Sequence, residues 1–167
     1  VVDQWTTDDG LPLAHASGVA FTADGFVWIA TFEGLVRFDG VGFTPMDETW
    51  ISALGTRRIA RVATHPRDGA LWMIAEARGI ARYADGSLRF WDARELGGVP
   101  IEWSLDRDGI WLWTGAGMVL LEDAPVSLPW AENHGAGAGA ARASDGSLLF
   151  AAQNGAVFRV RPGGEPE

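Results

Sequence analysis

The side chains suited to chemistry in this chain are three histidines, thirteen arginines and twenty-two carboxylates, with no cysteine beside them. His15, His65 and His134 stand 50 and 69 residues apart, so no two can share a helix face as metal ligands. His65 precedes Pro66 and Asp68-Gly69 and reads as a turn residue; His134 adjoins the loop-like run 135–139. Without cysteine there is no thiolate ligand, no thiol nucleophile and no disulfide. No serine lies in a Gly-x-Ser-x-Gly elbow, and the Gly-Ala run lacks the lysine of a phosphate-binding loop. Many of the aspartates sit in Asp-Gly pairs, where the carboxylate bonds turn backbone. These residues predict no catalytic group, no metal and no cofactor.

The chain has 167 residues, the size of one domain with a real core. Apolar residues make up 47% and charged residues 21%, which is ordinary for a folded protein. A net charge of −9 argues against nucleic acid and against an anionic membrane surface, both of which reward clustered cations. No apolar stretch is long enough to cross a bilayer. Every basic residue is Arg, which fits either a GC-rich coding bias or bidentate anion recognition. Glycine, at 22 residues, is in excess and points to many tight turns between short strands.

A repeat organises these turns. Asp24-Gly25, Asp68-Gly69, Asp108-Gly109 and Asp145-Gly146 recur at intervals of 44, 40 and 37 residues, each followed by an apolar run around Trp28, Trp72, Trp111 or Leu149. Six or seven residues further on stands Gly34, Gly79, Gly117 or Gly155, and then a second apolar segment. Each unit reads as four strands joined by turns. The middle runs are apolar on consecutive residues, so both faces must be covered by neighbouring sheets. Four short strands per period of about 40 predict an all-β chain of β-propeller blades. The expected blades are 13–47, 58–92, 101–129 and 138–161, with 1–12 as an N-terminal or closing strand and 162–167 as linker, so 1–161 forms the propeller repeats.

The opening Gln4-Trp5-Thr6-Thr7-Asp8-Asp9-Gly10-Leu11-Pro12 and the stretch from Asp24 to Gly40 resemble the two-component regulator propeller repeat family. The resemblance is strong in the first blade and fades through the third and fourth, where Leu149 replaces Trp. It implies the periplasmic sensory part of a bacterial inner-membrane protein. The output, on sequence beyond these residues, would be a histidine kinase or a GGDEF diguanylate cyclase. It also implies that Val1 follows a removed signal peptide and that a missing transmembrane segment provides the attachment.

Within such blades, Trp28, Trp72, Trp111 and Trp113 are expected between sheets. Trp5 and Trp91 are assigned to outer strands. Trp50, Trp103 and Trp130 fall near inter-blade connections, either as stacking platforms for a ligand or as plugs holding loops to the scaffold. The connections 46–58, 92–102 and 129–139 share a face with the turns at Phe32-Glu33, 76–78, Gly115-Ala116 and Asn154. On it, Glu33, Trp50, Arg57, Arg58, Glu76, Arg78, Trp103, His134 and Asn154 are the candidate ligand-binding residues, for an unknown small molecule or a glycan; a solvated rim is the alternative. Expected function is therefore ligand sensing without catalysis. The alternatives are a dimerisation or interaction scaffold and, behind both, a polysaccharide-active enzyme. Four blades that leave end faces uncovered further predict self-association as a homodimer.

Overall fold

The computed structural model describes residues 3–12, 15–105, 107, 109–121, 124–128, 137–152 and 154–160, the side chains of 128, 137–140, 148 and 160 excepted. They form two compact units, Val1–Trp91 and Asp92–Glu167. The first unit holds two antiparallel sheets. Strands β1 (Ala16–Phe21), β2 (Val27–Thr31), β3 (Gly34–Phe38) and β4 (Phe43–Pro45) make blade 1. After a helix α1 (Glu48–Leu54), strands β5 (Ile59–Thr64), β6 (Leu71–Ala75), β7 (Gly79–Ala84) and β8 (Ser87–Asp92) make blade 2. In the second unit β9 (Pro100–Leu105), β10 (Ile110–Thr114), β11 (Gly117–Leu121) and β12 (Pro125–Leu128) form blade 3. Strands β13 (Gly137–Arg142), β14 (Leu148–Ala152) and β15 (Val157–Val160) form blade 4. Every sheet is a meander of sequential strands, the architecture of a propeller blade.

Blades 1, 2 and 3 have the four strands expected of each sheet, and the described part of blade 4 has three. A fourth strand would follow β15, where residues 161–167 lie outside the described residues. One correction concerns the N-terminus. Where 1–12 is expected as an N-terminal or closing strand, the described residues 3–12 hold a 3-10 turn at Thr7–Asp9 and no strand, so Trp5 is not in an outer strand. The cause is local. The Asp8 N–H donates to Thr6 Oγ1 at 3.2 Å and the Thr6 N–H to Asp9 Oδ2 at 2.7 Å, a capping box that outcompetes extended backbone. Trp5 instead sets its ring edge-on to Phe38 at 5.0 Å. Trp91 lies in β8 as expected.

The cross-strand register explains the core. Each Trp position pairs on the innermost strand with a small residue: Ala20 beside Trp28, Ala63 beside Trp72, Ser104 beside Trp111, and Ala141 beside Leu149. The small partner leaves room for the indole. In the first unit Ala20, Trp28, Ala30 and Leu35 pack with Ile59, Val62, Leu71 and Met73. In the second, Trp111, Trp113 and Met118 pack with Phe150. Trp28, Trp72, Trp111 and Trp113 are all buried.

Glycine matters most at Gly79, where a Cβ would stand 2.1 Å from the Trp91 carbonyl oxygen. Only hydrogen fits between β7 and β8 there. The Asp-Gly turns differ among themselves: Asp85 and Gly86 both have positive φ, the two-residue hairpin form, whereas at Gly25, Gly69 and Gly146 only the glycine does.

Beyond the repeat of turns and tryptophans, an arginine stands on the third strand across from the Trp position: Arg37, Arg82 and Arg159 in blades 1, 2 and 4. Arg82 reaches Asp68 Oδ2 at 2.8 Å and Arg159 pairs with Asp145, tying strand to Asp-Gly turn. The Ser147 hydroxyl, then the Ser147 N–H and Arg159, hold the Asp145 carboxyl down at about 2.

Two outcomes follow. Gly79→Ala should cost about 1–3 kcal/mol in urea unfolding through overpacking against the Trp91 carbonyl; an unchanged midpoint would mean that β7 and β8 part freely. Because Asp145 is depressed in the folded state, its contribution is complete above the ordinary carboxylate value and lost as pH falls through about 2. An NMR titration should show that midpoint, and Arg159→Ala should move it upward.

Candidate functional site

Most of the sequence-predicted site residues belong to the first unit, and their positions follow from two local devices. The β2–β3 turn is fixed by Thr31, whose hydroxyl donates to the Gly34 carbonyl at 2.8 Å and accepts from the Glu33 N–H at 3.1 Å. Thr114 repeats the device in the β10–β11 turn. The β2–β3 turn presents Phe32 and Glu33 on a rigid edge. The second device is α1, which arises within the 46–58 connection. Asp47 caps it by accepting from the N–H groups of Thr49 at 2.8 Å and Trp50 at 3.2 Å. The Thr49 hydroxyl, then the Trp50 N–H, hold the Asp47 carboxyl below its ordinary value. Gly55 ends the helix at φ 67°, and the Arg78 guanidinium lies so close that a Cβ there would stand 2.6 Å from it.

Above these supports the rim forms one charged cluster. Arg58 hydrogen-bonds Glu76, which raises the guanidinium further, and Glu33 adds to the effect by its charge. The same guanidinium lies 4.6 Å from the centre of the Phe32 ring, and His15 stacks on Phe32 at 6.1 Å. Arg57 pairs with Glu48 at 2.5 Å. Glu33, Arg58 and Glu76 therefore come together, with Arg57 following α1 and Arg78 near its end.

Trp50, expected either as a stacking platform or as a plug on a connection, is carried on α1 and packs against the blades. Its ring turns down from α1 between blades 1 and 2, stacking on Trp28 at 5.8 Å and 12° and tilting against Tyr83 at 4.7 Å. Helix formation is the reason: the capped turn fixes the direction of residue 50. The three rings and the segment Thr44 to Asp47, with Arg37, line an open cleft of about 220 Å³. The Trp28 indole N–H is occupied by Thr22 Oγ1 at 2.9 Å, and the Arg37 guanidinium rests 4.2 Å from the Phe26 ring centre. The cleft thus offers aromatic faces bordered by a carboxylate and a guanidinium. Stacking on a flat apolar face combined with polar bonding at its edge is the chemistry available there.

The remaining positions belong to the second unit. Trp103, expected near a connection, sits within β9 opposite Leu112, because the strand already begins at Pro100. Asn154 occupies the β14–β15 turn, its side-chain oxygen accepting from the Ala156 N–H at 3.0 Å. His134 and Trp130 lie outside the described residues. Tyr83, Arg37 and Met46 were missed. Tyr83 is the chain's single tyrosine and holds the register position that Phe38 holds in blade 1, the one signal that could have marked it.

No family model and no curated protein matches the chain. Solved structures do. The extracellular domain of the hybrid two-component system BT3049 from B. thetaiotaomicron superposes with a TM-score of 0.72 at 17% identity, over 100% of this chain and 23% of that one. Virginiamycin B lyase from Staphylococcus aureus gives 0.62 at 20%, over 91% and 54%. YCF48 from Cyanidioschyzon merolae gives 0.60 at 16%, over 94% and 56%. The chain spans about a quarter of the first protein and about half of the other two. At these identities the likeness establishes the fold, which is that of β-propeller blades. Among the described residues no helix is long and apolar enough to cross a membrane.

Asp47→Ala should cost about 1 kcal/mol, the worth of an N-cap. Because the cap aims Trp50 into the cleft, it should also red-shift tryptophan emission. A loss of stability with unchanged emission would separate the cap from the ring's position.

Proposed function

We propose that this chain is a ligand-sensing segment from the extracytoplasmic part of a bacterial signalling protein of the two-component regulator propeller type, and that it performs no catalysis itself. The observation that carries the reading is the cleft of Trp28, Trp50 and Tyr83 beside the Arg58–Glu76 rim, both built on a rigid pair of blades. The resemblance of the first blade's motif and the likeness to the extracellular domain of BT3049 support the same setting. A kinase or diguanylate cyclase output, on sequence outside this chain, belongs to the proposal on the motif resemblance alone.

The cleft favours a small molecule with one flat apolar face and polar groups at its edge, such as a saccharide ring. Its C–H face would lie against Trp50 or Tyr83 and its hydroxyls would meet Asp47 and Arg37. The rim carboxylates are engaged by guanidinium groups, Glu76 by Arg58 and Glu48 by Arg57, an arrangement suited to holding shape rather than to moving protons.

The test is a thermal-shift panel of neutral monosaccharides, disaccharides and uronic acids. A ligand that binds only the folded state stabilises it, by about 2.7 kcal/mol at a hundred times Kd. At least one sugar should raise the melting temperature of the wild type and fail to do so for Trp50→Ala or Arg37→Ala. No shift with any of them, or a shift that survives both substitutions, would remove the cleft as the sensing site. For the setting, a phosphatase reporter active only outside the cytoplasm, fused after residue 160 of the native protein, should be active; a silent fusion with intact expression would overturn it.

A further inference from the structure

One side chain in the Trp28 cleft departs from the repeat that places it. Arg37, Arg82 and Arg159 hold one register position, on the third strand across from Trp28, Trp72 and Leu149. In blades 2 and 4 the guanidinium turns back to the carboxylate of its own Asp-Gly turn, Arg82 to Asp68 and Arg159 to Asp145. Blade 1 has the same turn carboxylate in Asp24, yet Asp24 accepts from the Thr22 hydroxyl at 2.5 Å instead. The turn hydrogen bonds match Thr22 with His65 in blade 2 and Ala143 in blade 4, so this hydroxyl belongs to blade 1 alone of the three.

A second difference fixes where the Arg37 guanidinium goes. The residue after the turn glycine is Phe26 in blade 1, Ala70 in blade 2 and Ser147 in blade 4. Arg37 lies over the Phe26 ring, 4.2 Å from its centre, so the ring engages the face of the guanidinium. The N–H groups lie in the guanidinium plane, and a cation held by its face keeps that edge for a planar acceptor. Among the described residues no carboxylate pairs with Arg37. Asp39, just after its strand, accepts from the Val41 and Gly42 N–H groups, both at 2.9 Å. Asp47, which shares its cleft, accepts from those of Thr49 and Trp50.

We propose that Arg37 is a carboxylate anchor and that the cleft takes an acidic saccharide, a uronic acid, in preference to a neutral sugar. The inference rests on the reading of the cleft as the sensing site and names its ligand class: the group that meets Arg37 is a carboxylate in place of a hydroxyl. With the sugar ring against Trp50 or Tyr83, its carboxylate lies at the edge of the stacked face, where Arg37 lines the same cleft. Two parallel N–H···O bonds from the guanidinium fork are charge-assisted and also fix how the ring is turned. The all-arginine composition fits coding bias as well as bidentate recognition, but at position 37 the geometry suits the second. In blades 2 and 4 the turn engages the arginine; in blade 1 the cleft has it.

Titration calorimetry on matched sugars tests this: glucuronic acid against its methyl ester and glucose, and galacturonic acid against its methyl ester and galactose. The ester keeps the shape of the acid and removes its charge. On the wild type at least one acid should bind about tenfold to a hundredfold more tightly than its ester and its neutral sugar, the worth of a charged hydrogen bond. Arg37→Gln should bring that acid down to the affinity of its ester. Arg37→Lys keeps the charge without the planar fork and should fall between, with urea midpoints showing that both variants are folded. Equal affinity for acid and ester on the wild type, both lost in Trp50→Ala, would overturn the acid assignment and leave the cleft as a site for neutral sugars. An acid preference that survives Arg37→Gln would overturn the role of Arg37. No binding of either acid would overturn the proposal, and a silent thermal-shift panel beside it would remove the sensing reading as well.

Discussion

A sheet that is apolar on both sides is unstable alone, and most of this structure answers that constraint. Strands β6 and β10 are buried at every residue. Covering one sheet with the next removes apolar area from water on both at about 25 cal/mol per Å². The repeated contact is specific because each large ring has a small neighbour on the adjacent strand, Ala20 for Trp28 and Ser104 for Trp111. Tight packing of this kind tolerates little change in volume, which is why the backbone approach at Gly79 leaves no space for even a methyl group.

Polar groups do a different job. The turn carboxylates accept backbone N–H bonds, as Asp39 does from Val41 and Gly42, or meet a third-strand arginine, as Asp68 meets Arg82. Burial alone would raise Asp68, but the Arg82 hydrogen bond, the Ala70 N–H and the Arg82 charge outweigh it and hold the carboxyl below its ordinary value. Such groups bind the strand ends into fixed turns and leave the blades rigid. Binding chemistry then falls to the irregular elements, as is usual where loops sit on a stiff scaffold. Here the irregular element is α1, which carries Trp50 into the cleft and brings Arg57 beside Glu48.

The blade pattern was legible because it is written in local signals. Consecutive apolar residues after an Asp-Gly pair require a two-sided strand, and a glycine six or seven residues later requires a turn; both hold through all four copies, even where Leu149 replaces Trp. The burial of Trp28, Trp72 and Trp111 followed from the same repeat. Errors arose where a short-range competitor acted inside an apparently regular segment. Thr6 and Asp9 turned an expected strand into a 3-10 turn, and Asp47 with Gly55 turned an expected loop into a helix. Thr6, Asp9 and Gly55 stand outside the expected blades and Asp47 at the end of one, so the four-strand pattern carries no sign of the turns they cap.

Strand order, turn positions and the two-sided character of each sheet were thus determined by the sequence alone, since they depend on neighbours a few residues apart. The meeting of Trp28, Trp50 and Tyr83, and of Phe32 with Arg58 and His15, was decided only in the tertiary structure. Trp50 and Tyr83 are 33 positions apart on different elements, and Arg58 and Phe32 are 26 apart. Their approach depends on how one sheet seats on the next and on where a seven-residue helix points its third side chain. No spacing in the chain encodes that, because it is set by the summed packing of both blades rather than by any single turn.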